Sequence, residues 1–130
     1  YAGHGSFSGL GGWDSSLLLA NDTKLTLGDL LALDRLPRWV VLSGCETGRS
    51  TAESPVAGLG LAHAFLLAGS RAVIASTRPA DDRSLPSFFT KLYGEWQRDP
   101  DLAAALQRAE LAWRREDPEA DWASFRLFEP

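Results

Sequence analysis

An α/β fold is what three observations in the order of the chain predict. Two short continuous apolar runs, Trp39-Val40-Val41-Leu42 and Ala72-Val73-Ile74-Ala75, have the length and β-branched content of strands buried on both faces. Between them, from Val56 to Ala68, lies a stretch apolar on nearly every side, which reads as a buried helix closed by Gly69. Two amphipathic helical patterns follow the second run. Strand and helix alternate, and this order predicts parallel βαβ units with right-handed crossovers.

The first dozen residues, rich in Gly and Ser, read as an irregular loop. Leu17-Leu18-Leu19-Ala20 ahead of Asn21-Asp22 reads as a short strand entering a turn. Thr26 with Asp29 three residues on is a capping-box start, and Leu27, Leu30 and Leu31 give that helix its apolar face before Pro37 closes the region. Ser54-Pro55 fits an N-cap followed by proline at the first helical position. Leu85, Phe88, Phe89, Leu92, Tyr93 and Trp96 recur at helical spacing. Asp99-Pro100 reads as the cap of a last helix, with Leu102, Ala105, Leu106, Ala109, Ala112 and Trp113 on its inner face. The stretch from Trp122 to Phe128 reads as a final strand.

Composition narrows the function classes. With 130 residues, 45% of them hydrophobic, the chain supports one domain with a real core. Thirteen basic against 17 acidic side chains give a net charge of −4, and no Lys/Arg cluster is present, so no nucleic-acid partner is expected. No apolar run approaches the ~20 residues that span a bilayer, so no membrane partner is expected either. One cysteine leaves no internal disulfide and no Cys-rich zinc site. The unpaired thiol and the absence of a targeting pattern lead us to expect a cytoplasmic protein. A start on Tyr1 rather than methionine reads as a piece of a longer chain.

Three segments fall where a parallel sheet places its working loops, beyond the carboxyl ends of its strands. His4-Gly5 follows what reads as the end of a strand, Cys45 stands three residues past Leu42, and Asp81-Asp82 follow the strand ending near Ala75. Each has a plain explanation: a lone cysteine is often a small buried hydrophobe, a loop histidine is often only solvated, and paired carboxylates favour a helix start. The setting of Cys45, between Gly44 and Gly48 and beside polar Ser43, Glu46 and Thr47, argues for an accessible loop. A thiol that does chemistry needs a proton acceptor, and His4 qualifies by type. His63, inside the apolar helix, is expected to be a hydrogen-bonded core residue. No Gly-x-Gly-x-x-Gly or Walker-type loop follows either buried strand, which disfavours a nucleotide-binding domain.

Gly3-His4-Gly5 together with Val40-Val41-Leu42-Ser43-Gly44-Cys45-Glu46-Thr47-Gly48 resembles the CHAT domain, a caspase-like domain often fused to tetratricopeptide repeats. The likeness continues through Gly58–Arg71, through Ser76-Thr77-Arg78-Pro79-Ala80-Asp81-Asp82, and through Trp122-Ala123-Ser124-Phe125. Arg78 and Ala80 stand where the family usually has Trp and Val, and Gly44 stands for a common Ala. The resemblance implies a caspase-like three-layer sandwich with a mostly parallel sheet. Residues 1–130 would form its C-terminal part, the domain's first strands being missing from this fragment. It implies a cysteine endopeptidase with Cys45 as nucleophile and His4 as general acid/base, 41 positions apart. The backbone N–H groups of Gly5 and Cys45 would form the oxyanion hole. Asp81, Asp82 or Glu53 would bind a basic substrate side chain. The expected substrate is a protein or peptide, with no metal or organic cofactor and a regulatory repeat region elsewhere in the chain. The alternative is a catalytically silent interaction or signalling module.

Overall fold

The structure is a computed structural model that describes residues 1–9, 12–43, 60–78 and 83–130. It is α/β, with two small sheets and four helices among the described residues. Tyr1–Pro79 with Phe125–Pro130 make one compact unit, and Ala80–Ser124 make a second.

In the first unit, β1 (Gly5–Ser6), β2 (Ser16–Leu18) and β3 (Lys24–Thr26) form an antiparallel sheet. The second sheet has the order β4 (Trp39–Leu42), β5 (Ala72–Ser76), β6 (Phe125–Phe128). Here β4 and β5 run parallel, with Leu42 opposite Ala75, and β6 runs antiparallel to β5. The described strands thus make one antiparallel and one mixed sheet, not the mostly parallel sheet of a three-layer sandwich.

The expected βαβ unit is present around β4, α2 (Leu61–Leu67) and β5. Every residue of β5 is buried, as a central strand requires. On β4, however, Trp39 is exposed and Val41 half-buried, so that strand is not covered on both faces. The strand at Leu17 belongs to the other sheet, and its connection decides the matter. Asn21 and Asp22 both have positive φ, 57° and 59°, in the short turn between β2 and β3. Asn and Asp tolerate this conformation better than most residues, and so tight a connection joins antiparallel strands only.

Thr26 caps α1 (Leu27–Leu31) as expected: its hydroxyl accepts from the Asp29 N–H, and the Asp29 carboxylate accepts from the Thr26 N–H. The Thr26 hydroxyl, which donates to the Asp29 carboxylate at 2.6 Å, and then the Thr26 N–H hold that carboxyl below the ordinary 3.8. A depressed folded value means that the cap's stabilisation is present above pH ~3.8 and is lost as pH falls through the folded value. Asp29→Asn should therefore lower the urea midpoint at neutral pH and converge on the parent in acid. A deficit that stays constant with pH would contradict this. Leu27 and Leu30 enter a core that includes Leu17, Leu42, Leu61, Phe65 and Val73.

The second unit is a helical hairpin of α3 (Leu85–Arg98) and α4 (Leu102–Glu116). Leu85, Phe88 and Leu92 of α3 are buried, as are Leu102, Ala105, Leu106, Ala109 and Trp113 of α4. Asp101, not Asp99, caps α4 by accepting from the Ala104 N–H, because Pro100 lies one residue too early. Arg108 ties the helices together through Glu95 at 2.9 Å and Asp99 at 3.3 Å. No helix among the described residues is long and apolar enough to cross a membrane.

Two glycines make opposite predictions. A Cβ at Gly69 or at Gly94 would meet nothing within 4 Å, so space does not separate them. Backbone does: Gly69 has φ +107°, outside the reach of other residues, whereas Gly94 is helical. Gly94→Ala should stabilise by about 0.4–1 kcal/mol, and Gly69→Ala should destabilise by more than that. Urea denaturation of the two variants checks the signs.

Candidate functional site

Residues 1–3 run beside the end of β4. The Tyr1 nitrogen donates to the Val41 carbonyl at 2.9 Å, Ser43 N–H donates to the Tyr1 carbonyl at 2.8 Å, and Gly3 N–H donates to the Ser43 carbonyl at 3.3 Å. This is parallel pairing, with Ala2 opposite Ser43. Three chain segments, residues 1–3, β4 and β5, therefore point the same way and leave the sheet at one edge.

His4 follows directly at that edge. Its side chain is exposed, and its backbone is where the chain passes from one sheet to the other. The Leu18 N–H donates to the His4 carbonyl at 2.9 Å, and Gly5 then pairs with Leu17. That bond pattern makes Gly5–Leu17 a non-hydrogen-bonded pair, so the Gly5 N–H is directed away from β2. None of the described residues accepts from it. His4 is thus held on one side by the pairing of residues 1–3 with β4 and on the other by β2.

Cys45, Glu53, Asp81 and Asp82 lie outside the described residues. The last described residue ahead of Cys45 is Ser43, opposite Ala2. The last ones ahead of Asp81 are Thr77 and Arg78, a bend at the end of β5 where the buried Ser76 hydroxyl donates to the Arg78 carbonyl. His63 is half-buried rather than a bonded core residue. Its ring packs edge-on against Phe128 at 5.5 Å, and its buried Nδ1 has no hydrogen-bond partner among the described residues. No group of three His, Cys, Asp or Glu among the described residues could hold a metal ion.

One residue of this region carries no sequence signal of its role. The Tyr1 hydroxyl lies 2.6 Å from the Leu18 carbonyl and 3.1 Å from that of His4. Burial pushes its phenol above the ordinary 10.0, so it is a protonated donor at neutral pH. Its position against His4 depends on tertiary pairing that no local pattern announces.

Compared with known proteins, residues 1–129 match the family model described as CHAT domain. None of the curated proteins matches the sequence.

Proposed function

Because the chain belongs to the CHAT domain family, a caspase-like peptidase family, we propose that it is a cysteine endopeptidase working through Cys45 and His4. The observation that carries this reading is the parallel pairing of Ala2 with Ser43. His4 is two residues beyond Ala2, and Cys45 is two residues beyond Ser43. Neighbouring strands lie about 4.8 Å apart, and two residues of chain reach at most ~7 Å. The described segments that lead to these two residues therefore run side by side to one sheet edge, the edge at which α/β proteins bind their ligands, and this supports the pairing.

The chemistry follows from the residue types. His4 takes the proton of the Cys45 thiol, and the thiolate attacks the carbonyl carbon of the scissile peptide. The developing oxyanion accepts from backbone N–H groups, for which Gly5 and Cys45 are the candidates. The N–H of Gly5 suits that role because the β1–β2 ladder does not use it. The C–N bond then breaks as the imidazolium gives its proton to the leaving amine. A water deprotonated by His4 opens the thioester, releasing the carboxylic acid and restoring the thiol.

A carboxylate among Asp81, Asp82 and Glu53 would pair with a substrate Arg or Lys before the scissile bond. The partner in this reading is the protein or peptide substrate itself. The test is on the full chain. A peptide acyloxymethyl ketone ending in Arg should alkylate Cys45, and the same peptide as an amide should be cleaved by the parent but not by Cys45→Ala. Cleavage that survives Cys45→Ala would overturn the reading and leave a silent caspase-like module as the better account.

A further inference from the structure

The geometry points to Tyr1 as a positioning residue for His4: its hydroxyl ties the His4 carbonyl to that of Leu18 and fixes the backbone from which the imidazole projects. This inference rests on the reading of His4 as the acid/base of the site. One O–H is shared between two carbonyl oxygens, at 2.6 Å and 3.1 Å. In a continued antiparallel ladder the Leu18 carbonyl would accept from the His4 N–H, since the Leu18 N–H already donates to His4. The phenol takes that acceptor instead. The ladder ends at His4 in a fixed way rather than fraying there.

The same residue is registered to the other strand. Its backbone bonds to Val41 and to Ser43 on the segment that leads to Cys45. Tyr1 thus joins the two chain segments that carry the proposed pair, by main chain to one and by side chain to the other. Gly3 fits this arrangement. A Cβ there would stand 2.6 Å from the Tyr1 hydroxyl oxygen and 2.8 Å from Cζ. A phenol anchored on two carbonyls can make room only by leaving them. A positioning contact matters because misplacing a catalytic group by about 1 Å costs as much as 10²-fold in rate.

The experiment compares Tyr1→Phe and Gly3→Ala with the full-length parent. Turnover of the Arg-ended peptide, thermal unfolding and the ring Cε1–H resonance of His4, assigned with His4→Gln, are measured. Tyr1→Phe should lower kcat about tenfold with KM within twofold, shift or broaden the His4 resonance, and leave the unfolding temperature nearly unchanged. Gly3→Ala should do the same in kcat and resonance while keeping the phenol. An unchanged kcat and resonance in Tyr1→Phe would overturn the inference, as would a rate loss explained by the unfolded fraction alone. If Cys45→Ala still cleaves, the dyad reading fails. The resonance then reports separately whether the phenol fixes His4.

Discussion

Replacing either His4 or Cys45 with alanine should lower kcat for peptide cleavage by at least about 10³-fold, and replacing both should cost little more than replacing one. The reason is that the two act in one proton transfer. Without the imidazole the thiol keeps its proton, and without the sulfur the imidazole has nothing to activate. A 10³-fold loss corresponds to roughly 4 kcal/mol of transition-state stabilisation. If the effects of His4→Ala and Cys45→Ala multiplied in the double variant, they would be acting separately and the dyad would be wrong. Gly5 refines the test. Its N–H faces away from β2, so Gly5→Pro removes a donor that the ladder does not need. Proline should cost about 10²-fold in kcat, the scale of one oxyanion donor, while Gly5→Ala, which keeps the N–H, should cost far less. Unfolding midpoints of the two variants separate a lost donor from a disturbed strand.

What the sequence revealed and what it hid have separate physical causes. The buried run Ala72–Ala75, the capping box of Thr26 and Asp29, and the inner faces of α3 and α4 were legible because burial and capping leave periodic or paired residue patterns. The strands β1 and β3 were not, since two and three residues are too few for an alternation. Placing the strand at Leu17 in a parallel series overlooked a signal that was present. Asn21-Asp22 offers the positive φ of a tight turn, and such a turn returns the chain antiparallel. The cap of α4 was misplaced at Asp99 because Asp99, Pro100 and Asp101 all carry start signals, and only the bond to Ala104 distinguishes Asp101. For the proposed site, residue type alone pointed to His4 and Cys45; the structure describes His4 at the sheet edge, and Cys45 lies outside the described residues. Tyr1 was hidden, because its hydroxyl acts on backbone carbonyls brought near by sheet pairing, and these leave no mark in a local motif.

The largest stability effect expected among the described residues is at Phe88. Its side chain is fully buried in the α3–α4 hairpin, with its ring 4.9 Å from Trp113 and 5.1 Å from Phe89. Phe88 is the largest fully buried side chain of the two helices. Phe88→Ala should destabilise by about 3–5 kcal/mol, the lost transfer energy plus a cavity that two packed helices can close only partly. Phe88→Leu should recover most of this, because it restores volume without the ring contacts. The polar links do not compensate. Arg108 with Glu95 and Asp99, and Lys91 with Glu116, are at least partly exposed pairs worth about 1 kcal/mol or less each. Arg108→Ala should accordingly cost far less than Phe88→Ala. Denaturation followed by tryptophan fluorescence, to which Trp113 contributes beside the substituted ring, measures the ranking. A larger loss for Arg108→Ala would mean that ion pairs rather than burial hold the hairpin closed.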